Sequence, residues 1–540
     1  FICHLQRFHS SIMPTLTIDN FGGPLTRRNT GDINSGLTKF ETSWGYDPYS
    51  KPGNLTWMER PTSILTWTGS QGPMMAMKQR TESDVNLIYG WAKNNSLYRI
   101  TVNSSSNPDV DSPSVIGTVS PGAIDRGADI TFYGTTEKIF ISGDTNIEKV
   151  NFDGSSPSVI GTFATANPRP LATFLGRIYF GNGNNIGEID STETVTTVAK
   201  LSPALPSGLV VRDLDVIPDG NYLEMIASRT SAAYPAGDSN DRTSSGAADS
   251  FKFYWNGIDD AASASENYPG LVLSSNVVHA GKDHTFGYDS NGAALFEEGR
   301  KMISFRGAVA PHPKAAFSIG NILSFATAEY EQSSDRFRTA IFQYGQYDEE
   351  SPKGLFRLLR QNAPIRDDII SVSAAVNVSN QLYAPQFFDY PNNISGTGKM
   401  YYSTQEDVAD GATALVQKLY RFYTSPTGTS SIVAGVYETQ TQLFSKKVAP
   451  KEVRLYTEPL VSGNDFVVDL IGSGGSVISG GSQRFIVGTS SIATGTDMVH
   501  FNPAIAPTYA IGARITNSSI TGVVNWTGTK LEIDYEPSGK

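Results

Sequence analysis

Short runs of alternating or continuous apolar residues recur along most of the chain, separated by clusters of Gly, Asn and Asp. Asn86 opens NLIYGWAKNNSLYRITVN, Lys138 opens KIFISGDTNIEKVNFDG, and Arg177 opens RIYFGNGNNIGEID. Each segment pairs two β-rich runs around a turn whose residues tolerate positive φ. The interval from Lys138 to Arg177 is 39 residues, and that from Leu87 to Ile139 is 52. Related segments follow around Tyr222 and Phe251, at His284, at Asn321 and near Tyr420. The spacing predicts six or seven units of about 40–55 residues over 61–445, each of four short strands. That is the pattern of a β-propeller, in which radial stacking covers both faces of sheets too small to bury them alone. A β-solenoid or an assembly of sandwiches is the alternative for the same period. Gly-His to Trp-Asp repeats, double-Gly kelch repeats and Ser-x-Asp-x-Gly boxes are all missing.

The pattern changes at both ends. Over 446–540 eight short runs, from EVRLYTEP to KLEIDYEP, follow each other every ~10–12 residues, as in an antiparallel β-sandwich. Residues 13–60 carry turn signals and large aromatics but little periodicity. Phe21, Phe40, Trp44, Tyr46, Tyr49 and Trp57 need apolar surroundings, since each such side chain buries ~150–250 Å² when packed. An extended arm lying across a larger domain or a neighbouring subunit meets that need, and so does an ordinary N-terminal strand of the next domain. The polar stretch 231–250 predicts a surface loop. Ser403 and Glu406, at capping-box spacing, make 403–419 the best short-helix candidate, although Gly411 weakens it.

Composition narrows the class. Charged residues are 18% of the chain and Gly numbers 51, which fits strands and tight turns and opposes a coiled coil or helical bundle. The net charge of −11 opposes nonspecific nucleic-acid binding, which requires a basic face. No apolar run reaches the ~18 residues of a membrane-spanning helix. Cys3 is the one cysteine, so an intrachain disulfide and a thiolate cluster are excluded. Residues 1–12 (FICHLQRFHSSI) precede Met13 and match no signal peptide; they read as upstream translation, with Met13 as the natural start, the alternative being a genuine disordered N-terminus.

Candidate chemistry is sparse, and no cofactor or metal is expected. His279 and His284 are five apart across a Gly-Lys-Asp turn, an awkward spacing for one metal on a strand. GSGGSVISGGS (472–482) lies between strands rather than in a strand–turn–helix, and reads as hairpin turns, not a nucleophile elbow. Asp213/Asp215, Asp259/Asp260, Glu297/Glu298 and Asp367/Asp368 read as solvated groups rather than the separated carboxylates of a glycosidase. Asp289-Ser290-Asn291-Gly292 offers oxygen ligands without the Glu that closes a calcium loop.

Leu16-Thr17-Ile18-Asp19-Asn20-Phe21-Gly22-Gly23, Asp32-Ile33-Asn34-Ser35-Gly36 and Gly45-Tyr46-Asp47-Pro48 resemble the opening of structural proteins of tailed bacteriophages. Glu452-Val453-Arg454-Leu455-Tyr456-Thr457-Glu458-Pro459-Leu460 resembles the opening strand of their β-sandwich modules. The resemblance implies a virion component of the tail or tail adaptor, with a capsid-associated position next. It carries no catalytic residue. The implied partners are copies of the chain and other virion proteins, met through the six arm aromatics. A host surface glycan would be the partner of a rival reading, a receptor-binding adhesin. A glycan-degrading propeller enzyme is the third reading.

Overall fold

The computed structural model describes residues 13–21, 40–44, 46, 51, 53–57, 62–68, 74–82, 85–92, 95–102, 112–122, 129–132, 138–217, 220–229, 249–279, 281–289, 292–306, 316–319, 322–331, 336–345, 354–365, 383–389, 398–406, 416–423, 435–488, 492–517 and 526–538. All regular elements among them are strands. No helix among the described residues is long and apolar enough to cross a membrane. The chain divides into two compact units, one of Pro61–Gln343 with Arg360–Tyr423, the other of Phe1–Arg60, Tyr344–Leu359 and Thr424–Lys540.

Strands β1 (Thr15–Ile18), β2 (Phe40–Trp44) and β3 (Leu55–Thr56) come first, then β4 (Thr62–Thr68). Four-stranded antiparallel sheets follow in strict chain order. The first holds β5 (Met74–Glu82), β6 (Val85–Ala92), β7 (Ser96–Val102) and β8 (Ser112–Thr118). The second holds β9 (Asp129–Phe132), β10 (Lys138–Ser142), β11 (Asn146–Asn151) and β12 (Ser158–Thr162). The third holds β13 (Leu171–Phe174), β14 (Arg177–Asn182), β15 (Asn185–Ile189) and β16 (Val195–Thr197). The fourth holds β17 (Val210–Val216), β18 (Leu223–Arg229), β19 (Asp249–Trp255) and β20 (Ser263–Pro269). The fifth holds β21 (Val272–His279), β22 (Lys282–Asp289), β23 (Gly292–Glu297) and β24 (Arg300–Arg306). The sixth holds β25 (Ala316–Ile319), β26 (Ile322–Glu331), β27 (Arg336–Gly345) and β28 (Gly354–Ile365). The seventh holds β29 (Tyr383–Asp389), β30 (Gly398–Glu406) and β31 (Val416–Tyr423), and takes β4 as its fourth strand.

These strands are short because the turns between them are built from residues with positive φ, such as Leu175-Gly176 (φ 47 and 73) between β13 and β14. Each sheet is too small to bury its own faces, and successive sheets cover one another. Leu87, Tyr89 and Trp91 of the first sheet share a core with Ile139, Ile141 and Val150 of the second. Phe140 and Ile147 of the second pack with Ile178 and Phe180 of the third. Tyr179 and Ile186 of the third pack with Met225 and Trp255 of the fourth. Ile226 and Tyr268 of the fourth pack with Leu273 and Phe296 of the fifth. Phe286 of the fifth meets Phe325 of the sixth, ring centroids 4.7 Å apart. Leu419 of the seventh joins Met77, Ile88 and Ile100 of the first. The leading strands also neighbour one another in order from β5 to β29, and β29 neighbours β5.

The other unit is built around one ten-stranded antiparallel sheet. It contains β32 (Gly435–Thr439), β33 (Gln442–Thr457), β34 (Asp465–Ile471), β35 (Val477–Ile486), β36 (Met498–Phe501), β37 (Thr508–Asn517) and β38 (Thr527–Pro537) with β1, β2 and β3. Val453, Leu455, Leu531 and Ile533 of β33 and β38 share one core with Phe466, Val468, Ile511 and Ile515 of β34 and β37. Since β32 pairs with both β2 and β37, residues Gly435–Thr439 belong to this sheet as well.

Two expectations are corrected. Ser403 and Glu406 cap no helix: both lie on β30, where Ser403 pairs Leu419 and Glu406 pairs Val416. The alternating KMYYSTQ pattern with a β-rich partner outweighs a local capping signal. In the 472–482 stretch only Gly472–Ser476 forms a turn; Val477 onward is a single strand through Ile486. Gly480 sits within it at φ +80, where a Cβ would collide with the carbonyl oxygen of Ala504. The 231–248 part of the expected surface loop lies outside the described residues, as do residues 1–12.

Candidate functional site

Among the described residues, the densest group of buried titratable side chains lies where the fourth sheet meets the fifth. Lys252 is central on β19, and its side chain is 0% exposed. It is in register with Ile226 of β18, so Glu224, two residues along that strand, reaches the same level. From the fifth sheet, β21 contributes Asn276 and β22 contributes Asp283 and Thr285.

These side chains are linked by hydrogen bonds and ion pairs, although Glu224 Oε1 itself accepts no hydrogen bond. Lys252 Nζ lies 3.0 Å from Glu224 Oε1 and donates to Asp283 Oδ2. Asn276 Nδ2 donates to Glu224 Oε2 at 2.5 Å and to Asp283 Oδ1 at 2.6 Å. The Tyr254 hydroxyl donates to Asp283 Oδ2 at 3.1 Å, and the Thr285 hydroxyl to Asn276 Oδ1 at 2.7 Å. Glu266 stands farther off, 3.8 Å from Nζ, and accepts from the Tyr268 hydroxyl.

Burial sets the proton distribution. It pushes the Glu224 carboxyl up to about 9; Lys252 opposes that and the Asp283 carboxylate adds to it. Burial works against the Lys252 charge, but Glu224 and Asp283 outweigh it and hold the ammonium above its ordinary range. Burial would raise Asp283, yet Lys252 and the hydrogen bonds hold it below the usual carboxylate range. At neutral pH the group therefore holds an ammonium, a carboxylate and a neutral carboxylic acid. Burial, with the nearby carboxylates adding to it, raises the Tyr254 phenol well above its usual range, so it stays a donor.

The sequence reading missed this group because its members are scattered over sixty residues. The available signal was a lysine inside the apolar strand DSFKFYW and a glutamate inside YLEMIAS. The reading of Asp213 as solvated is corrected: it is 2% exposed on β17. Its Oδ1 accepts from the backbone N–H of Leu214, and its Oδ2 from that of Asn276 in the next sheet. His284 is buried on β22 between Glu297 Oε2 and the Lys282 carbonyl, both at 3.1 Å. His279 pairs Lys282 in the β21–β22 ladder. Among the described residues no group of three or more His, Cys, Asp or Glu side chains is placed to hold a metal ion.

Of the arm aromatics, Phe21, Tyr46 and Trp57 are fully buried in the core of their own ten-stranded unit. Phe21 and Tyr46 meet Tyr437 edge-on, at 5.4 and 5.7 Å. Trp57 meets Trp526 at 5.6 Å. The Tyr46 hydroxyl donates to the carbonyls of Phe21 and Asn54. Intrachain packing thus satisfies these three side chains, and none of their surface is left for a neighbouring subunit. Phe40 and Trp44 lie on β2, paired with β32, and Tyr49 lies outside the described residues.

At the hairpin tips of the third and fourth sheets a surface cleft of about 370 Å³ is lined by Leu175, Gly220, Asn221, Tyr222, Asn256 and Ile258. Ile258 is 82% exposed, and Tyr222 leans edge-on against Tyr254. The cleft combines an aromatic ring, two aliphatic side chains and two amides.

No family model matches this chain, and no curated protein matches it. Among solved structures it is similar to the crystal structure of Chaetomium thermophilum Raptor, with 11% sequence identity and a TM-score of 0.37. That match covers 70% of this chain and 29% of the other, so the chain spans less than a third of that protein. A likeness at this level carries no argument about fold or function.

Proposed function

We propose that the chain is a non-enzymatic structural component of a tailed-bacteriophage virion, built from a seven-bladed β-propeller and a β-sandwich and acting through subunit assembly. The propeller reading is supported by the sheet-on-sheet cores, by the return of β29 to β5, and by β4 completing the last sheet from the other end of the chain. The observation that carries the structural role is the inward use of chemistry. The richest cluster of titratable groups braces two sheets, with Glu224 1% exposed, out of reach of a polymeric substrate.

Assembly would use strand edges rather than the buried arm aromatics. Among the described residues β35 has β34 as its one strand partner, and although the Gly480 carbonyl accepts from Ala504 N–H, most of its ten residues are at least partly exposed, so the rest of it offers an edge for β-augmentation. Tail or tail adaptor is the proposed location. Cryo-electron microscopy of intact particles is the test: repeated copies of this chain in contact within the tail are expected, and its absence from purified particles would overturn the reading.

The Tyr222 cleft favours a second reading, a receptor-binding adhesin. An aromatic face beside amides suits the mixed polar and apolar faces of a sugar. Glycan-array binding that Tyr222→Ala abolishes would support it.

A further inference from the structure

The Lys252 group has the parts of a condensation site. A nucleophile and a carboxyl electrophile are in direct contact, held on strands of two different sheets. Holding reacting groups together in this way corresponds to effective concentrations of about 10⁵ M or more. The amine is buried, so water is kept from competing and from hydrolysing a product. Both oxygens of the electrophile are already bound by donors, Oδ1 by Asn276 and Oδ2 by Tyr254. Those donors stabilise charge that develops on the carboxyl during addition. A second carboxyl, Glu224, stands within proton-transfer distance of the amine and is bridged to the electrophile by Asn276.

We propose that Lys252 and Asp283 condense into an intramolecular isopeptide bond, with Glu224 carrying the protons, so that the fourth and fifth sheets become covalently joined. The resting state holds the Lys252 ammonium, the Asp283 carboxylate and neutral Glu224. Glu224 passes its proton to Asp283 and takes one from Lys252, leaving an amine beside a carboxylic acid. The Nζ lone pair attacks Cγ of Asp283, the C–N bond forms, and the carbonyl electron pair moves onto Oδ1. The surplus proton on nitrogen travels through Glu224 to the Oδ2 hydroxyl. The carbonyl re-forms, the C–Oδ2 bond breaks, and water leaves. The sum is one amide and one water, with Glu224 restored and no oxidant or cofactor consumed. The raised Glu224 carboxyl matters because it still has a proton to give at neutral pH.

This inference does not depend on the virion reading. The test is the mass of the purified, folded full chain. It should be lighter by one water than the sequence requires. A tryptic digest should contain a branched peptide joining Lys252 to Asp283, and the linear peptide ending at Lys252 should be lost. Glu224→Gln should restore the full mass and the linear peptide while circular dichroism still reports a β-sheet fold. If that variant fails to fold, the branched peptide of the unaltered chain decides alone. A folded chain of full mass that trypsin cleaves after Lys252 overturns the proposal. So does a link from Lys252 to Glu224 or Glu266, or a lost water localised at an Asp-Gly step such as Asp153-Gly154.

Discussion

Two aspartates tie neighbouring sheets together in the same way. Asp129 of β9 accepts from its neighbour Ile130 through Oδ1, and from the backbone N–H of Leu171 in the next sheet through Oδ2 at 2.8 Å. Asp213 of β17 repeats this with Leu214 and Asn276. Removing either carboxylate leaves a buried N–H without its partner, which costs about 1–3 kcal/mol. Asp129→Ala and Asp213→Ala should each lower unfolding stability by that amount in urea titrations; an unchanged midpoint would remove the clamp. Glu193 makes a third tie, reaching back from the third sheet to Lys138 and Lys149 of the second, at 2.6 and 3.0 Å. Burial would raise its carboxyl, but the two lysines hold it below the usual range. A depressed carboxylate stabilises the fold above its unfolded pKa of about 4.5, and that contribution fades as pH falls through the folded value. Glu193→Gln should therefore be less stable than the unaltered chain at pH 7, and the difference should shrink by pH 3; thermal unfolding at both values reads it. None of these ties was legible beforehand. A single Asp before an apolar residue looks the same in sequence whether it caps a neighbouring strand or faces solvent.

Strands were more legible than their partners. The alternation and turn residues around Lys138 and Arg177 locate β10, β11, β14 and β15, because a half-buried strand must alternate and its hairpin must turn. What pairs across long distances was not legible, since it depends on tertiary packing. β1 and β3 both pair with β38, with Thr15 opposite Asp534 and Leu55 opposite Gly528. The aromatic-rich N-terminal stretch thus completes the C-terminal sheet, and its poor periodicity reflects strands of only two to five residues. Trp57 is fully buried against Trp526. Trp57→Ala should cost about 3–5 kcal/mol by opening a cavity there. Intrinsic tryptophan fluorescence during denaturant unfolding would show it, and a loss under 1 kcal/mol would mean that the arm is not part of this core.

At the scale of the molecule, the decisive feature is how the series of sheets ends. A row of stacked sheets would leave the first and last with bare faces. Here Leu419 of the seventh sheet lies in the same core as Ile88 of the first, and Leu65 of β4 packs there with them. In the seventh sheet β4 pairs β31 with Thr66 opposite Lys418, so residues far apart in sequence fasten the two ends. The fastening restricts the unfolded chain little, but it fixes the native one, and a covalent link at that point should therefore add stability. Thr66→Cys with Lys418→Cys, in a chain carrying Cys3→Ser, places two thiols at directly paired positions. The enclosed loop of roughly 350 residues gives a loop-closure gain of as much as about 6 kcal/mol, before any strain. The oxidised form should unfold at a clearly higher temperature than the reduced form of the same variant. Failure of the thiols to pair under mild oxidation would contradict the register of β4 on β31. Pairing without any rise in unfolding temperature would show that closure at this seam does not limit the unfolding of the seven sheets.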